Sequence, residues 1–102
     1  MHRFHRWRDA LQAASTEAQV VAVLQDYVGS IDAQVIAILP KACQKALEDP
    51  DALGAAVTLL QEELRYQGNP EVAQMLHEIA HTFAAASMRI MRMRKDPVLP
   101  AE

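Results

Sequence analysis

Two histidines and a glutamate in the segment His77-Glu78-Ile79-Ala80-His81 have the residue types and the spacing of a zinc site. Histidines at positions i and i+4 project from the same side of a helix, so His77 and His81 can bind one metal ion. The glutamate between them can then act as general base on a metal-bound water. If the segment is helical, it predicts a candidate metal centre with zinc as the cofactor.

The surrounding residues, 75–83, resemble the zinc-binding helix of the zincin metallopeptidases, because the positions that flank the three polar residues are uncharged. The resemblance implies a zinc-dependent hydrolase in which His77 and His81 are metal ligands and Glu78 is the catalytic base. It covers this segment alone. Elsewhere the chain has none of the strands on which enzymes of that class align their substrates.

The chain also departs from the zincin pattern at the position of the third ligand. Ala84 and Ser87 stand where the extended metzincin pattern has a glycine and a third histidine. A third ligand would have to come from the ends of the chain: His2, His5, Asp96 or Glu102. A frayed terminus makes a poorly preorganised metal site.

The side of the helix on which the two histidines lie is a further argument against a catalytic site. At about 100° per residue, a helix that buries Ile79 turns His77 and His81 to the opposite side. An amphipathic helix with one apolar stripe readily produces such a pentapeptide without any catalytic role. We therefore expect no catalytic residue and no cofactor, and keep a minimal zinc hydrolase as the alternative.

The elements that must position these residues are predicted to be helices. Asp49-Pro50 and Asn69-Pro70 each provide an N-cap followed by proline at the first helical position, and predict helices over 50–67 and from 70 to about 94. Thr16 with Gln19 has the form of a capping box, and Pro40 must interrupt the segment around it. The valine-rich and isoleucine-rich runs do not alternate with polar residues, so they favour helix over strand. We predict an all-α bundle of four to five helices with a long C-terminal helix, formed by residues 1–95 as one domain, and a disordered tail over 96–102.

The last predicted helix suggests an interface. Its apolar residues follow helical spacing from Val72 to Met93, and about 25 residues make a rod of roughly 37 Å. A globule of this size has a radius of gyration of only about 13 Å, so we expect the C-terminal end of the helix to extend beyond the core. The residues predicted to form the interface are Phe83, Ala86, Ile90, Met91 and Met93. A homodimer is favoured, and another protein partner is compatible with the same surface.

Charge is distributed unevenly along the chain, although the net charge is only −3. Both ends are basic and the region between them is acidic. This pattern allows a second alternative, binding to a nucleic acid or another anionic surface through the ends. The cations concerned are Arg3, Arg6, Arg8, Arg89, Arg92, Arg94 and Lys95. No nucleic-acid-binding motif accompanies them, so a nucleic-acid partner is not the favoured interpretation.

Three further residue types bear on location and packing. The chain has one cysteine, Cys43, which excludes an intrachain disulfide and is typical of a reducing compartment. No run of apolar residues is long enough for a signal peptide or a membrane-spanning helix, so we predict a cytoplasmic protein that does not insert into membranes. Trp7 and Tyr66 are predicted to be core aromatics.

Overall fold

All regular structure lies in helices along residues 2–95, the part of the chain that the computed structural model describes, with side chains from Arg6 onward. The helices are α1 (His2–Ala13), α2 (Glu17–Gly29), α3 (Ala33–Ile36), α4 (Lys41–Ala46), α5 (Leu53–Tyr66) and α6 (Pro70–Lys95), with a 3₁₀ turn over Pro50–Ala52 before α5. The all-α prediction is confirmed, and so is the long C-terminal helix. The predicted tail, 96–102, lies outside the described residues, as do the side chains of His2, Arg3 and His5.

Several of the helical segments begin where the sequence provides a side chain that accepts a backbone N–H. Thr16 caps α2 by accepting from the backbone N–H of Gln19 at 3.1 Å. Asn69 caps α6 by accepting from the N–H two residues later at 2.9 Å, and Asp49 does the same for the 3₁₀ turn at 3.0 Å. These contacts satisfy donors that the first helical turn leaves without partners. The predicted starts of α2 and α6 are therefore confirmed, whereas the helix predicted to begin at position 50 starts with a 3₁₀ turn, and α5 itself begins at Leu53.

Pro40 separates two short helices, as predicted. The helix α3 ends at Ile36, and α4 begins at Lys41, directly after the proline. Proline has no N–H to donate and disfavours helical angles at the residue before it, Leu39. One continuous helix across this segment is thus replaced by two short ones joined by a bend.

One hydrophobic core joins the helices. The hairpin of α5 and α6 provides the most extensive packing, while α1 and α2 also pack against α6. The buried side chains of α6 follow the predicted stripe at spacings of three and four residues. They include Leu76, Ile79, Phe83, Ala86 and Ile90. Trp7 is buried as predicted and packs edge-on against Tyr27, with ring centroids 5.5 Å apart.

Two arginines attach the last turns of α6 to earlier parts of the chain. Arg89 donates a hydrogen bond from Nη2 to the carbonyl oxygen of Ala14 at 2.7 Å, just beyond the end of α1. Arg94 donates two hydrogen bonds to the carboxylate of Glu17, each at 2.8 Å, and its Nη1 lies 2.7 Å from Oδ1 of Asp51. The hydrogen bond from Arg94 lowers the pKa of Glu17 below its ordinary value. The C-terminal turns of α6 therefore lie against the chain's own N-terminal half.

This packing corrects the predicted interface. Phe83 and Ala86 are fully buried, and Ile90 is only 3% exposed, all within the chain's own core. They are unavailable to a second chain, because α1 and α2 occupy the side of α6 that was expected to be bare. Met91, at 63% exposure, remains accessible, and Met93 is half-buried against the core.

The prediction for Tyr66 is also wrong, since its side chain is 79% exposed. Continuing the spacing of the buried stripe of α5 beyond Leu64 reaches position 67 or 68, so Tyr66 falls outside the stripe. Among the described residues, no helix combines the length and the apolar character needed to cross a membrane.

Candidate functional site

The two histidines of the zinc-like segment lie on the exposed side of α6, as their spacing predicts. His77, Glu78 and His81 are all exposed. The imidazole rings of His77 and His81 have centroids 4.7 Å apart and meet edge to face, at 73°. Two imidazoles that bind the same tetrahedral zinc ion have centroids about 5 Å apart, which is close to the separation of these two rings.

A catalytic zinc site needs three protein ligands and a water. Among the described side chains, no group of three or more His, Cys, Asp or Glu residues is placed to hold a metal ion. The side chains proposed as third ligands, those of His2, His5, Asp96 and Glu102, lie outside the described residues. The described side chains therefore offer two candidate ligands here, His77 and His81, both on the exposed side of α6.

The exposed apolar side chains form a second feature, which the sequence analysis found only in part. The large hydrophobic residues with substantial exposure are Ile38, Leu59, Tyr66, Met75, Met88 and Met91. Five of the six lie in two surface patches, one on α6 and one on α5. An exposed apolar patch with a polar margin marks an interaction surface more often than a scattered apolar residue does.

The first patch is on the C-terminal half of α6. Met88, Met91, Arg92 and Lys95 follow one another at i, i+3, i+4 and i+7, and we call these four residues the basic stripe. The methionines are 65% and 63% exposed. A shallow cleft beside Met88 is lined from α1 by Arg8 and Gln12. This surface combines flexible apolar side chains with cations, and among the described residues that line the cleft there is no acidic one.

The second patch is on the outer face of α5. Leu59, Glu62, Glu63 and Tyr66 also follow one another at i, i+3, i+4 and i+7, and we call these four residues the acidic stripe. With Ile38 and Pro40, from the bend between α3 and α4, they line one groove. The exposed fractions are 41% for Leu59 and 44% for Ile38. The residues lining this groove are apolar or acidic, so its charge is opposite to that of the basic stripe.

The structure separates the cations that had been proposed to bind an anion. Arg89 and Arg94 contact the chain itself, through Ala14, Glu17 and Asp51. The guanidinium of Arg6 lies over the ring of Trp7, 4.8 Å from its centroid. Among the described residues, the exposed cations near the end of α6 that make none of these contacts are Arg8, Arg92 and Lys95. The residues that remain available to bind an anion are therefore a small basic patch around two methionines.

Comparison of the chain with known proteins and structures found no match. No family model matches the chain, no curated protein matches it in sequence, and no solved structure matches its fold.

Proposed function

We propose that this protein is a non-catalytic helical interaction protein that acts as a homodimer in the cytoplasm, through exposed faces of its helices. The observation that supports this most directly is the basic stripe. Two methionines with more than 60% of their surface exposed lie one helical turn apart, among cations that make no ion pair within the described chain. Methionine is common at protein-binding surfaces, because its flexible, polarisable side chain adapts to different partners.

The exposed methionines limit how strongly this surface can bind a partner. Burying two exposed methionine side chains stabilises a complex by roughly 1.5–3 kcal/mol each. The cost of immobilising side chains and whole molecules removes part of that gain. Two methionines alone would therefore support only millimolar affinity or weaker, and an association in the micromolar range requires that both partners contribute apolar residues.

Sedimentation velocity over about 1 to 200 µM tests this proposal, since weak dimers dissociate in that range. We expect the wild-type chain to associate, and Met88→Ser with Met91→Ser to weaken the association by at least about tenfold without changing helix content. Met75→Ser is the matched control, because Met75 is also exposed on α6 but lies near the opposite end. A wild-type chain that stays monomeric throughout the range would contradict the proposal.

The histidine pair supports a second candidate function. The exposed rings at 4.7 Å favour a surface chelate for a divalent metal ion, and the zinc hydrolase remains the alternative that would use Glu78. Calorimetric titration with zinc should detect binding to the wild type and none to His81→Ala. Hydrolysis of an unfolded peptide that requires both zinc and Glu78 would establish the enzyme. Zinc binding without hydrolysis would leave only the chelate.

A further inference from the structure

We infer that the acidic stripe of α5 is the docking site for the basic stripe of a second copy of this chain. The inference rests on the proposed function and goes further, because it names both surfaces of the contact. Of the basic stripe, only Met91 was predicted from the sequence to lie in a protein interface, and the groove that contains Leu59, Tyr66 and Ile38 was not predicted as one. The structure brings Ile38 next to Leu59 and Tyr66 on the surface, although Ile38 precedes Leu59 by 21 positions in the sequence.

The two stripes have the same length and spacing, and their charges are opposite. Each occupies two helical turns and contains two exposed apolar residues and two residues of like charge. In the acidic stripe the apolar residues are Leu59 and Tyr66, at its two ends. In the basic stripe they are Met88 and Met91, and the cations are Arg92 and Lys95. When the stripes lie side by side in the same direction, Leu59 faces Met88 and Glu63 faces Arg92. Apolar side chains are then buried and a carboxylate meets a cation, an arrangement that increases specificity and association rate.

Within one molecule the two stripes cannot meet. The acidic stripe ends at Tyr66, beside the turn that leads to Pro70, and the basic stripe lies at the other end of α6. A helix rises 1.5 Å per residue, so Met91 lies about 30 Å along α6 from Pro70. The contact therefore requires two copies. When two copies lie antiparallel, each basic stripe meets the other's acidic stripe, so that both contacts close a single dimer.

The charges available for this contact are not engaged in the fold. The ion pairs among the described residues are those that Arg94 makes with Glu17 and Asp51. Glu62, Glu63, Arg92 and Lys95 are all exposed and take part in none of these pairs. Their reversal should therefore change association and leave the folding of the monomer intact.

A charge-swap experiment tests the inference. One variant carries Glu62→Lys and Glu63→Lys, and the other carries Arg92→Glu and Lys95→Glu. We expect the association of each variant alone to be at least about tenfold weaker than that of the wild type, because like charges then face each other. An equimolar mixture should associate again, since the reversed stripes of the two variants are complementary. Circular dichroism verifies that each variant is folded, and recovery in the mixture verifies it independently.

Matched controls reverse exposed charges outside both stripes. They are Asp26→Lys with Glu48→Lys, and Lys45→Glu with Arg65→Glu. Arg65 is the most stringent control, because it is next to Tyr66 but is absent from the groove lining. Association that also weakens as sodium chloride is raised would agree with the inference.

Each result has a defined meaning for the two proposals. A wild type that dimerises while both stripe variants behave like the controls overturns the pairing of the stripes and leaves the interaction function standing. A mixture that stays dissociated also overturns the pairing. A wild type that remains monomeric overturns both proposals. If the mixture instead forms chains longer than dimers, the two surfaces are still the ones proposed.

Discussion

Replacing Ile90 with alanine should destabilise the monomer strongly, whereas replacing its neighbour Met91 should not. The two residues are adjacent on α6, but Ile90 is 3% exposed and Met91 is 63% exposed. Ile90 was predicted from the sequence to lie in a dimer interface, and the structure places it in the chain's own core. The comparison therefore tests the packing on which the rest of the reasoning depends.

The magnitude follows from the burial of Ile90. Replacing a buried isoleucine with alanine removes its transfer free energy and leaves a cavity, which together cost about 2–5 kcal/mol. We expect about 3 kcal/mol, because alanine is a better helix former than isoleucine and recovers a few tenths. In a domain of this size, 1 kcal/mol shifts Tm by about 4–8 °C, so the loss should exceed about 10 °C. At an exposed position, Met91→Ala should stay within about 0.5 kcal/mol.

Urea and thermal denaturation, followed by circular dichroism, measure both effects. The chain should be held near about 1 µM, below the concentrations at which association is expected, so that dimer formation does not add to stability. Ile90→Val serves as a graded control, with an expected loss of about 0.5–1.5 kcal/mol. If Ile90→Ala unfolds at the same urea concentration and temperature as the wild type, while Met91→Ala unfolds earlier, the placement of α6 against α1 and α2 is wrong.

Three more predictions concern a helix cap, an ion pair and the cysteine. Asn69→Ala should cost about 1 kcal/mol in a urea titration, because the cap of α6 loses the oxygen that accepts backbone N–H groups. The pKa of Glu17 is lowered by its hydrogen bond with Arg94, so the folded state binds fewer protons than the unfolded state as pH passes below the ordinary value of 4.5. The pair thus stabilises the fold above that pH, and stability should fall more steeply in acid for the wild type than for Glu17→Gln. Burial raises the pKa of Cys43 to about 11, and a thiol alkylating reagent at neutral pH should therefore label the folded chain about 100-fold more slowly than the urea-unfolded chain.

The sequence was most informative where the physical cause is local. The start of α6 depends on Asn69 and Pro70, which act within one turn of the helix, and the observed helix begins at the predicted residue. The exposure of His77 and His81 follows equally from spacing along one helix. Such features require no knowledge of what the helix packs against, and for this reason a single chain is enough to predict them.

The sequence was least informative where one helix meets another. The spacing of Ile90 shows that it belongs to an apolar stripe, but not which element covers that stripe. The cover comes from α1 and α2, more than 60 positions away in sequence, through contacts such as that of Arg89 with Ala14. The groove around Tyr66 was missed for the same reason, since Ile38 reaches it from a different part of the chain.

Helical spacing nevertheless explains how four cations within seven residues came to have two different roles. Met88, Arg92 and Lys95 point in nearly the same direction, away from the core, because they are spaced by four and three residues. Arg89 is displaced about 100° to one side of this direction and Arg94 about 100° to the other. One therefore reaches the end of α1 and the other reaches Glu17 and Asp51. The flanking arginines attach the end of α6 to the rest of the chain, while the central stripe faces solvent. Neutralising Arg89 should therefore lower the stability of the fold, and association with it, whereas neutralising Arg92 should weaken association alone.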